Sequence, residues 1–136
     1  MSYINRIWLR LAALFQLCRY DVTDRLAGFD GNYQGLRCLA VSHGKRERAI
    51  LPGDISQAID FACTIYWKPV LCLQRSVAEA RLLRLRGWNA EVVMGYRAMP
   101  FAGHAWVEIE GVPVSGSREY QRQLLVLERI GAAADL

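Results

Sequence analysis

One cysteine and one histidine in this 136-residue chain have the chemistry of a nucleophile and its base: Cys72 and His104. Cys72 follows Pro69 closely and falls in the first turn of a predicted helix, where backbone N–H groups lack intrahelical partners. The positive end of a helix favours thiolate over thiol, and the same N–H groups can receive the oxyanion of a tetrahedral intermediate. The position of Cys72 therefore suits nucleophilic catalysis.

His104 belongs to a segment in which Ala105, Val107 and Ile109 alternate with polar or aromatic residues, a pattern typical of a strand. If the apolar set faces a core between helix and sheet, His104 faces away, unless its strand lies at the sheet edge near the helix. Periodicity alone therefore does not bring His104 to Cys72. Taken singly, a buried cysteine is usually a core residue and a strand histidine usually a structural one.

The composition describes one globular domain. Hydrophobic residues make up 53% of the chain, which excludes disorder as its main character. The 17 Lys and Arg against 13 Asp and Glu give a net charge of +4, which allows a nucleic-acid partner without implying one. Aromatic and basic residues do not interleave as stacking platforms would require, so we expect no nucleic-acid partner.

The four cysteines lie at positions 18, 38, 63 and 72, mostly within apolar runs. This usage favours a reducing compartment over a disulfide framework, and we expect a cytoplasmic protein. There is no Cys-x-x-Cys pair and there are only two histidines, so we expect neither a metal nor a cofactor. The apolar stretch 11–18 is too short to span a bilayer and no cleavage signature follows it.

Helices are predicted for the first two thirds of the chain. Within residues 4–18, apolar side chains recur at helical spacing, and we expect their face to dock on the domain core, with membrane-surface binding as the alternative. The residues of this stripe are Ile4, Ile7, Trp8, Leu11, Leu14, Phe15 and Cys18. The pattern allows a short helix over 22–27, and 28–53 is predicted to be mainly loop, with His43 on its surface.

Two further helices should follow the loop. Asp54 is the N-cap candidate of the first, whose stripe of Ile55, Ile59, Ala62 and Tyr66 stops before Pro69. The second, residues 72–86, is ended by Gly87 and has apolar residues on two faces, so we predict that it is the central helix. Its arginines are expected to form a solvated face: Arg75, Arg81, Arg84 and Arg86.

Strands dominate after Gly87. A valine-rich strand is predicted over 90–96, and the pair Glu110-Gly111 allows a tight reversal from the strand of His104 into 112–114. Residues 121–130 fit a buried last strand through 124–127 or a short helix, and we favour the strand. Helices followed by antiparallel strands predict an α+β domain.

Five motifs in order resemble the B2 proteins of bacterial lasso-peptide biosynthesis, which are leader peptidases of the transglutaminase-like, papain-related cysteine protease superfamily. The motifs are CLQRS (72–76), LLRLRG (82–87), VVMGYR (92–97), PF (100–101) and HAWVE (104–108). The resemblance covers roughly residues 52–130, and its specificity comes from the combination. It implies a transglutaminase-like or papain-like core in which the catalytic cysteine begins the central helix.

The resemblance makes Cys72 the nucleophile and His104 the general base. The family usually has an aspartate just after the strand that follows HAWVE, but residues 112–117 contain no carboxylate. We take Glu119 as the candidate third member, with a solvated loop carboxylate as the alternative; Ser115, a backbone carbonyl or a water are other substitutes. A Cys–His dyad is also chemically sufficient, because a thiol needs less activation than a hydroxyl.

Arg75 and Trp106 are the candidate substrate-binding residues. Arg75 lies one turn into the central helix, where it can position substrate or form a salt bridge. Trp106, two residues after His104, can shield the catalytic pair, wall a peptide cleft or belong to the core.

The resemblance thus implies a cysteine peptidase that removes the leader peptide from a ribosomally made lasso-peptide precursor. We divide the chain into 1–51, a helical and loop segment packed on the core, and 52–136, the peptidase core. The first segment is too small for a fused recognition domain, so the expected partners are a separate leader-recognition protein (B1) and a macrolactam cyclase, with no membrane contact. The alternatives are a catalytically impaired scaffold of the same fold and a thioester-forming acyltransferase.

Overall fold

The elements follow the predicted α+β order. The computed structural model describes residues 2–41, 50–116 and 118–131, so His43 lies outside the described residues. The helices are α1 (Tyr3–Cys38), α2 (Pro52–Ile65), α3 (Cys72–Leu85) and α4 (Arg118–Arg122), and the strands are β1 (Ala90–Ala98), β2 (Phe101–Ile109), β3 (Val112–Pro113) and β4 (Leu125–Ile130). The predicted fold class is confirmed.

The strands form an antiparallel sheet in the order β3-β2-β1-β4. In the β1–β2 hairpin, Gly95 lies opposite His104. The predicted reversal into β3 is present: Glu110 has φ 51° and Gly111 has φ 82°, the left-handed pair that a two-residue hairpin turn requires. The sheet therefore presents β2 between a long neighbour and a very short one.

The predicted central position of α3 is confirmed, because it packs against α1 and α2 and also against β1 and β2. Both of its apolar faces are therefore covered. The core joins all the main elements and includes Leu17 and Leu36 of α1, Ile55 and Ile59 of α2, Val77 and Leu83 of α3, and Val92 and Val107 of the sheet.

The predicted docking face of α1 is wrong. The buried apolar positions in its first half are Leu9, Ala13 and Leu17, spaced four residues apart. The stripe expected to be buried is exposed instead, with Trp8 and Phe15 each 64% accessible. The helix has apolar residues on two sides, and the side with the small Ala13 allows the closest approach to the other helices.

The loop predicted from Gly28 onward is also wrong for the described part, since α1 continues to Cys38. Gly28 has φ 65° and interrupts the helical geometry as a kink, but the helix resumes after it. Leu36 is fully buried, and Asn32 Nδ2 donates to Tyr20 O at 3.2 Å. Tertiary burial of these residues outweighs the turn-forming composition of the segment.

The start of α2 lies two residues before the predicted cap. Pro52 is its first residue and Leu51 its N-cap residue, so Asp54 lies inside the first turn. Proline suits this position because its missing N–H is not needed there. The predicted stripe of Ile55, Ile59 and Ala62 is buried as expected.

Both alternatives weighed for residues 121–130 are realised in part. The short helix α4 ends at Arg122, and β4 then begins at Leu125. The strand is not buried as predicted: Leu125 and Leu127 are exposed and only its last residue, Ile130, is buried. Because β4 is an edge strand, only one side of its backbone pairs with another strand.

The arginines of α3 do not form a solvated face. Arg84 is fully buried, and its guanidinium donates to the backbone oxygens of Leu36, Ala90 and Ile130. Arg81 donates to Gln16 Oε1 at 3.0 Å, and burial together with the charges of Arg19 and Arg84 lowers the pKa of Arg81 to about 10. Buried arginine is tolerated here because several carbonyl groups satisfy its donors.

The N-terminal segment and the rest of the chain share one hydrophobic core, to which α1 contributes Leu9, Leu17 and Leu36. The division of the chain into two parts at residue 51 stays a prediction. Within the described ranges, no helix combines the length and the apolar character needed to cross a membrane.

Candidate active site

Cys72 is the first residue of α3, as the sequence predicted, and its thiol is exposed and free. The N-cap residue, Leu71, has extended backbone geometry and provides no side-chain hydrogen bond to the first turn. The free N–H groups at this helix end therefore lie beside the thiol and can donate to a substrate oxygen.

A cavity of about 300 Å³ brings together residues from five parts of the chain. Asp60 of α2 and three residues of α3 form one side, β2 forms another, and the chain after β3 together with α4 completes the lining. The residues contributed by α3, β2 and the last two segments are Cys72, Arg75, Ser76, His104, Ala105, Trp106, Ser115, Gly116 and Gln121. The predicted nucleophile and base thus share one cavity.

The open edge of β2 explains how His104 reaches a cavity that also contains Cys72. Among the described residues, β3 pairs only with Glu108 and Ile109, and Val114 N–H donates to Val107 O at 3.0 Å. The β2 edge beside His104 therefore has no strand next to it, and the cavity occupies that place. His104 alternates with the core-facing residues of β2, but at this open edge of the sheet it can still line the same cavity as Cys72.

Two aromatic rings hold the imidazole of His104. Its centroid lies 5.8 Å from that of Trp106, with the planes at 21°, and 5.7 Å from that of Tyr120, at 71°. Burial lowers the pKa of His104, and the positive charge of Arg75 lowers it further. Because its pKa is lowered, the ring is neutral near pH 7, the form in which it can accept a proton from a thiol. No hydrogen bond links His104 to another described residue.

Arg75 lines the cavity, but its guanidinium is already bound to α2 and α3. It contacts Asp60 Oδ1 at 2.6 Å, Glu79 Oε2 at 2.7 Å and Ser56 Oγ at 3.3 Å. Burial raises the pKa of the enclosed Glu79 carboxyl, although Arg75 opposes the shift. Arg75 therefore holds a positive charge at the cavity wall and links that wall to α2 and α3 through its ion pairs.

Trp106 forms part of the cavity wall and also of a second small core on the outer face of the sheet. That core contains Val93 and Leu124, and Trp106 Nε1 donates to Glu108 Oε2 at 2.8 Å. A Cβ added to Gly95 would lie 3.0 Å from the indole ring, so glycine makes room for it. The indole is thus held rigidly beside His104.

Glu119 lies on α4 with an exposed side chain and is not among the cavity-lining residues. The residue that α4 places in the lining is Gln121, which is buried. Sequence reasoning missed Gln121 because glutamine is neither a usual base nor a usual nucleophile. As a third member, Glu119 stays a prediction.

The arrangement supports acyl-transfer chemistry. It combines an exposed thiol, a neutral imidazole in the same cavity and unpaired N–H groups at a helix start. In the part of the chain that the structure describes, no cluster of three or more His, Cys, Asp or Glu side chains could hold a metal ion.

Comparison with known proteins agrees with this geometry. The family model of the transglutaminase-like superfamily matches residues 20–129. The chain therefore belongs to the transglutaminase-like superfamily. The match includes α3, β1 and β2, and so contains both Cys72 and His104.

A more specific similarity is to the microcin J25-processing protein McjB of Escherichia coli, with 36% identity over 59 residues. The aligned part is 43% of this chain and 28% of McjB, so the chain matches less than a third of that relative's length. Together the two matches confirm the resemblance to B2-type proteins that the motifs indicated. No solved structure gives a significant match.

Proposed function

We propose that this chain is a cysteine peptidase that removes the leader peptide from a ribosomally made lasso-peptide precursor. The observation that carries the proposal is that Cys72 and His104 line one cavity, on the helix start and the strand where the family resemblance puts nucleophile and base. The similarity to a microcin-processing protein supports the substrate class. The four free cysteines fit a reaction in the reducing cytoplasm.

In the proposed reaction, Cys72 Sγ attacks the scissile carbonyl carbon while the thiol proton passes to His104. The N–H groups at the start of α3 stabilise the resulting oxyanion. As the C–N bond breaks, His104 returns the proton to the leaving amine, and the leader remains bound to Cys72 as a thioester. Water then attacks the thioester with His104 as base, and the products are the leader carboxylate and the free thiol.

A separate leader-recognition protein (B1) and a macrolactam cyclase complete the proposal. The cyclase would use the new amino terminus that cleavage creates. The exposed stripe of α1 is the proposed docking surface for such a partner, because apolar residues repeat along one side of it: Ile4, Trp8, Leu11, Phe15, Val22 and Leu26. Helical stripes of this kind are usually buried by another protein element.

The test is cleavage of a synthetic precursor by the purified chain, alone and with the recognition protein, followed by mass spectrometry. We expect leader and core peptides from the wild type and none from Cys72→Ala. If neither protein cleaves with the partner present, the chain is the impaired scaffold instead. If added amines become joined to the leader, it is an acyltransferase.

A further inference from the structure

Gln121 is a buried polar side chain in the wall of the Cys72–His104 cavity. Its accessibility is 6%, and its Nε2 donates to Ser115 O at 3.2 Å. Its Oε1 is buried and has no hydrogen-bond partner among the described residues. Leaving a buried amide oxygen unpaired costs free energy, so such an atom at a cavity calls for a functional explanation.

The amide of Gln121 lies beside the segment where the family has its aspartate. Gly116 belongs to the carboxylate-free stretch 112–117, and a Cβ built on it would lie 3.0 Å from Gln121 Nε2. Gly116 also has φ +85°, a conformation that other residues adopt only with strain. A residue with a side chain at position 116 would therefore compete with Gln121 for the same space.

His104 needs an acceptor of the kind that Gln121 offers. Trp106 and Tyr120 contact the ring itself, and neither contact fixes which ring nitrogen carries the proton. A neutral imidazole has one N–H donor and one lone pair. For the lone pair to receive the thiol proton, the N–H must be on the other nitrogen and must be paired.

We propose that Gln121 is the positioning residue of His104: its Oε1 accepts a hydrogen bond, directly or through one water, from the imidazole N–H that is not used toward Cys72. This rests on the proposed function, in which His104 is the base. Gln121 thereby replaces the family's aspartate from a different element, α4. Because an amide is neutral, it orients the ring without favouring the imidazolium as a carboxylate would.

The cavity contains few other groups that could affect the protonation of His104. The charged or titratable residues around it are Asp60 from α2, Cys72 and Arg75 from α3, and Tyr120 from α4. Asp60 is paired with Arg75 at 2.6 Å. The variants below leave all four in place.

The first test compares Gln121→Met with Gln121→Glu, using Gln123→Met as the matched control because Gln123 is exposed. Gln121→Met keeps the length of the side chain and removes the acceptor, so kcat should fall roughly 10- to 100-fold with little change in KM. Gln121→Glu keeps an acceptor and adds charge. It should retain most of kcat and move the acidic limb of the pH profile to higher pH, because the carboxylate favours the imidazolium.

The second test needs no peptidase activity. Nitrogen-15 NMR of the imidazole rings reports the tautomer directly, and the chain has only two histidines, so His43→Gln assigns the His104 signals. One neutral tautomer is expected in the wild type and in Gln123→Met, and a mixture in Gln121→Met. Circular dichroism establishes whether each variant is folded. If Gln121→Met does not fold, the role of Gln121 is tested by Gln121→Glu alone, through the shift of the acidic limb of its pH profile and through its His104 tautomer.

An unchanged tautomer and an unchanged kcat in folded Gln121→Met would overturn the role of Gln121, even if His104→Ala abolishes cleavage. For Gln121→Glu, an unshifted acidic limb together with an unchanged tautomer would do the same. A wild type that cleaves no precursor but loses its single tautomer in Gln121→Met would instead reject the peptidase function and retain the Gln121–His104 pairing.

Discussion

The imidazole of His104 stacks on the indole of Trp106, with centroids 5.8 Å apart and planes inclined by 21°. The indole is itself held by a hydrogen bond from its Nε1 to Glu108 Oε2. The other carboxylate oxygen, Glu108 Oε1, accepts a hydrogen bond from Arg129 Nη1 at 2.7 Å. The orientation of the candidate base therefore depends on a buried cluster on the outer face of the sheet.

His104→Ala should abolish leader cleavage and leave the fold intact, because the ring is only half-buried and forms no hydrogen bond to another described residue. Loss of a general base typically costs ~10²–10⁴-fold in rate, and more for a paired nucleophile. Steady-state cleavage with circular dichroism measures both effects, with His43→Ala as the matched histidine control. Cleavage near the wild-type rate would mean that His104 is structural.

Cys72 should be the thiol that iodoacetamide alkylates first. Cys18 and Cys38 are also exposed, so access alone does not distinguish them from Cys72. Cys63 is half-buried, and burial raises its pKa. The advantage of Cys72 must come from the start of α3 and from His104. Peptide mapping after a short pulse tests this, and His104→Ala should reduce the advantage; faster labelling of another cysteine contradicts it.

Leader cleavage should persist below pH 6.5. Burial and the charge of Arg75 lower the pKa of His104, so as the pH falls the ring stays neutral to a more acidic value than an ordinary imidazole, whose pKa is about 6.5. A proton NMR titration of the imidazole gives the midpoint, and the acidic limb of the rate profile should follow it. A midpoint above 6.5 would show that a nearby negative charge outweighs burial.

Arg84→Met should destabilise the protein by at least about 2 kcal/mol. The side chain is fully buried, and its loss leaves the carbonyl oxygens of Ala90 and Ile130 without this donor, at a cost of roughly 1–3 kcal/mol each, whereas Leu36 O keeps the bond from Leu39 N–H at 3.3 Å. Arg86→Met is the matched control, because Arg86 is partly exposed at the end of the same helix. Urea denaturation of both variants measures the difference, and equal midpoints would contradict the prediction.

Cleavage by the chain alone should be weak, and the recognition protein should increase it at low substrate by roughly 10²-fold or more through effective concentration. Trp8→Glu with Phe15→Glu should remove most of that increase without changing basal cleavage, because both side chains are exposed on the α1 stripe. Leu127→Glu, an exposed leucine on β4, is the matched control. Equal rates with and without the partner would show that this chain reads the leader by itself.

The sequence alone determined the local elements that carry the candidate site. Pro69 and Gly87 mark the limits within which α3 lies, so Cys72 at a helix start follows from local backbone chemistry. The alternation around His104 and the Glu110-Gly111 turn likewise predicted β2 and its reversal. These features depend on a residue and its close neighbours in sequence, which is why periodicity and turn chemistry reveal them.

Only the tertiary structure decided which surfaces meet. The first half of α1 has two apolar sides, and packing against other helices selected the one with Ala13 and exposed the one with Trp8. The burial of Arg84 depends on carbonyl groups from three other elements, of which Leu36 and Ile130 are far from it in sequence. The open edge of β2 and the entry of Gln121 into the cavity result from the shortness of β3 and the path of the chain after it. Such choices depend on contacts between residues far apart in sequence, which local patterns do not encode.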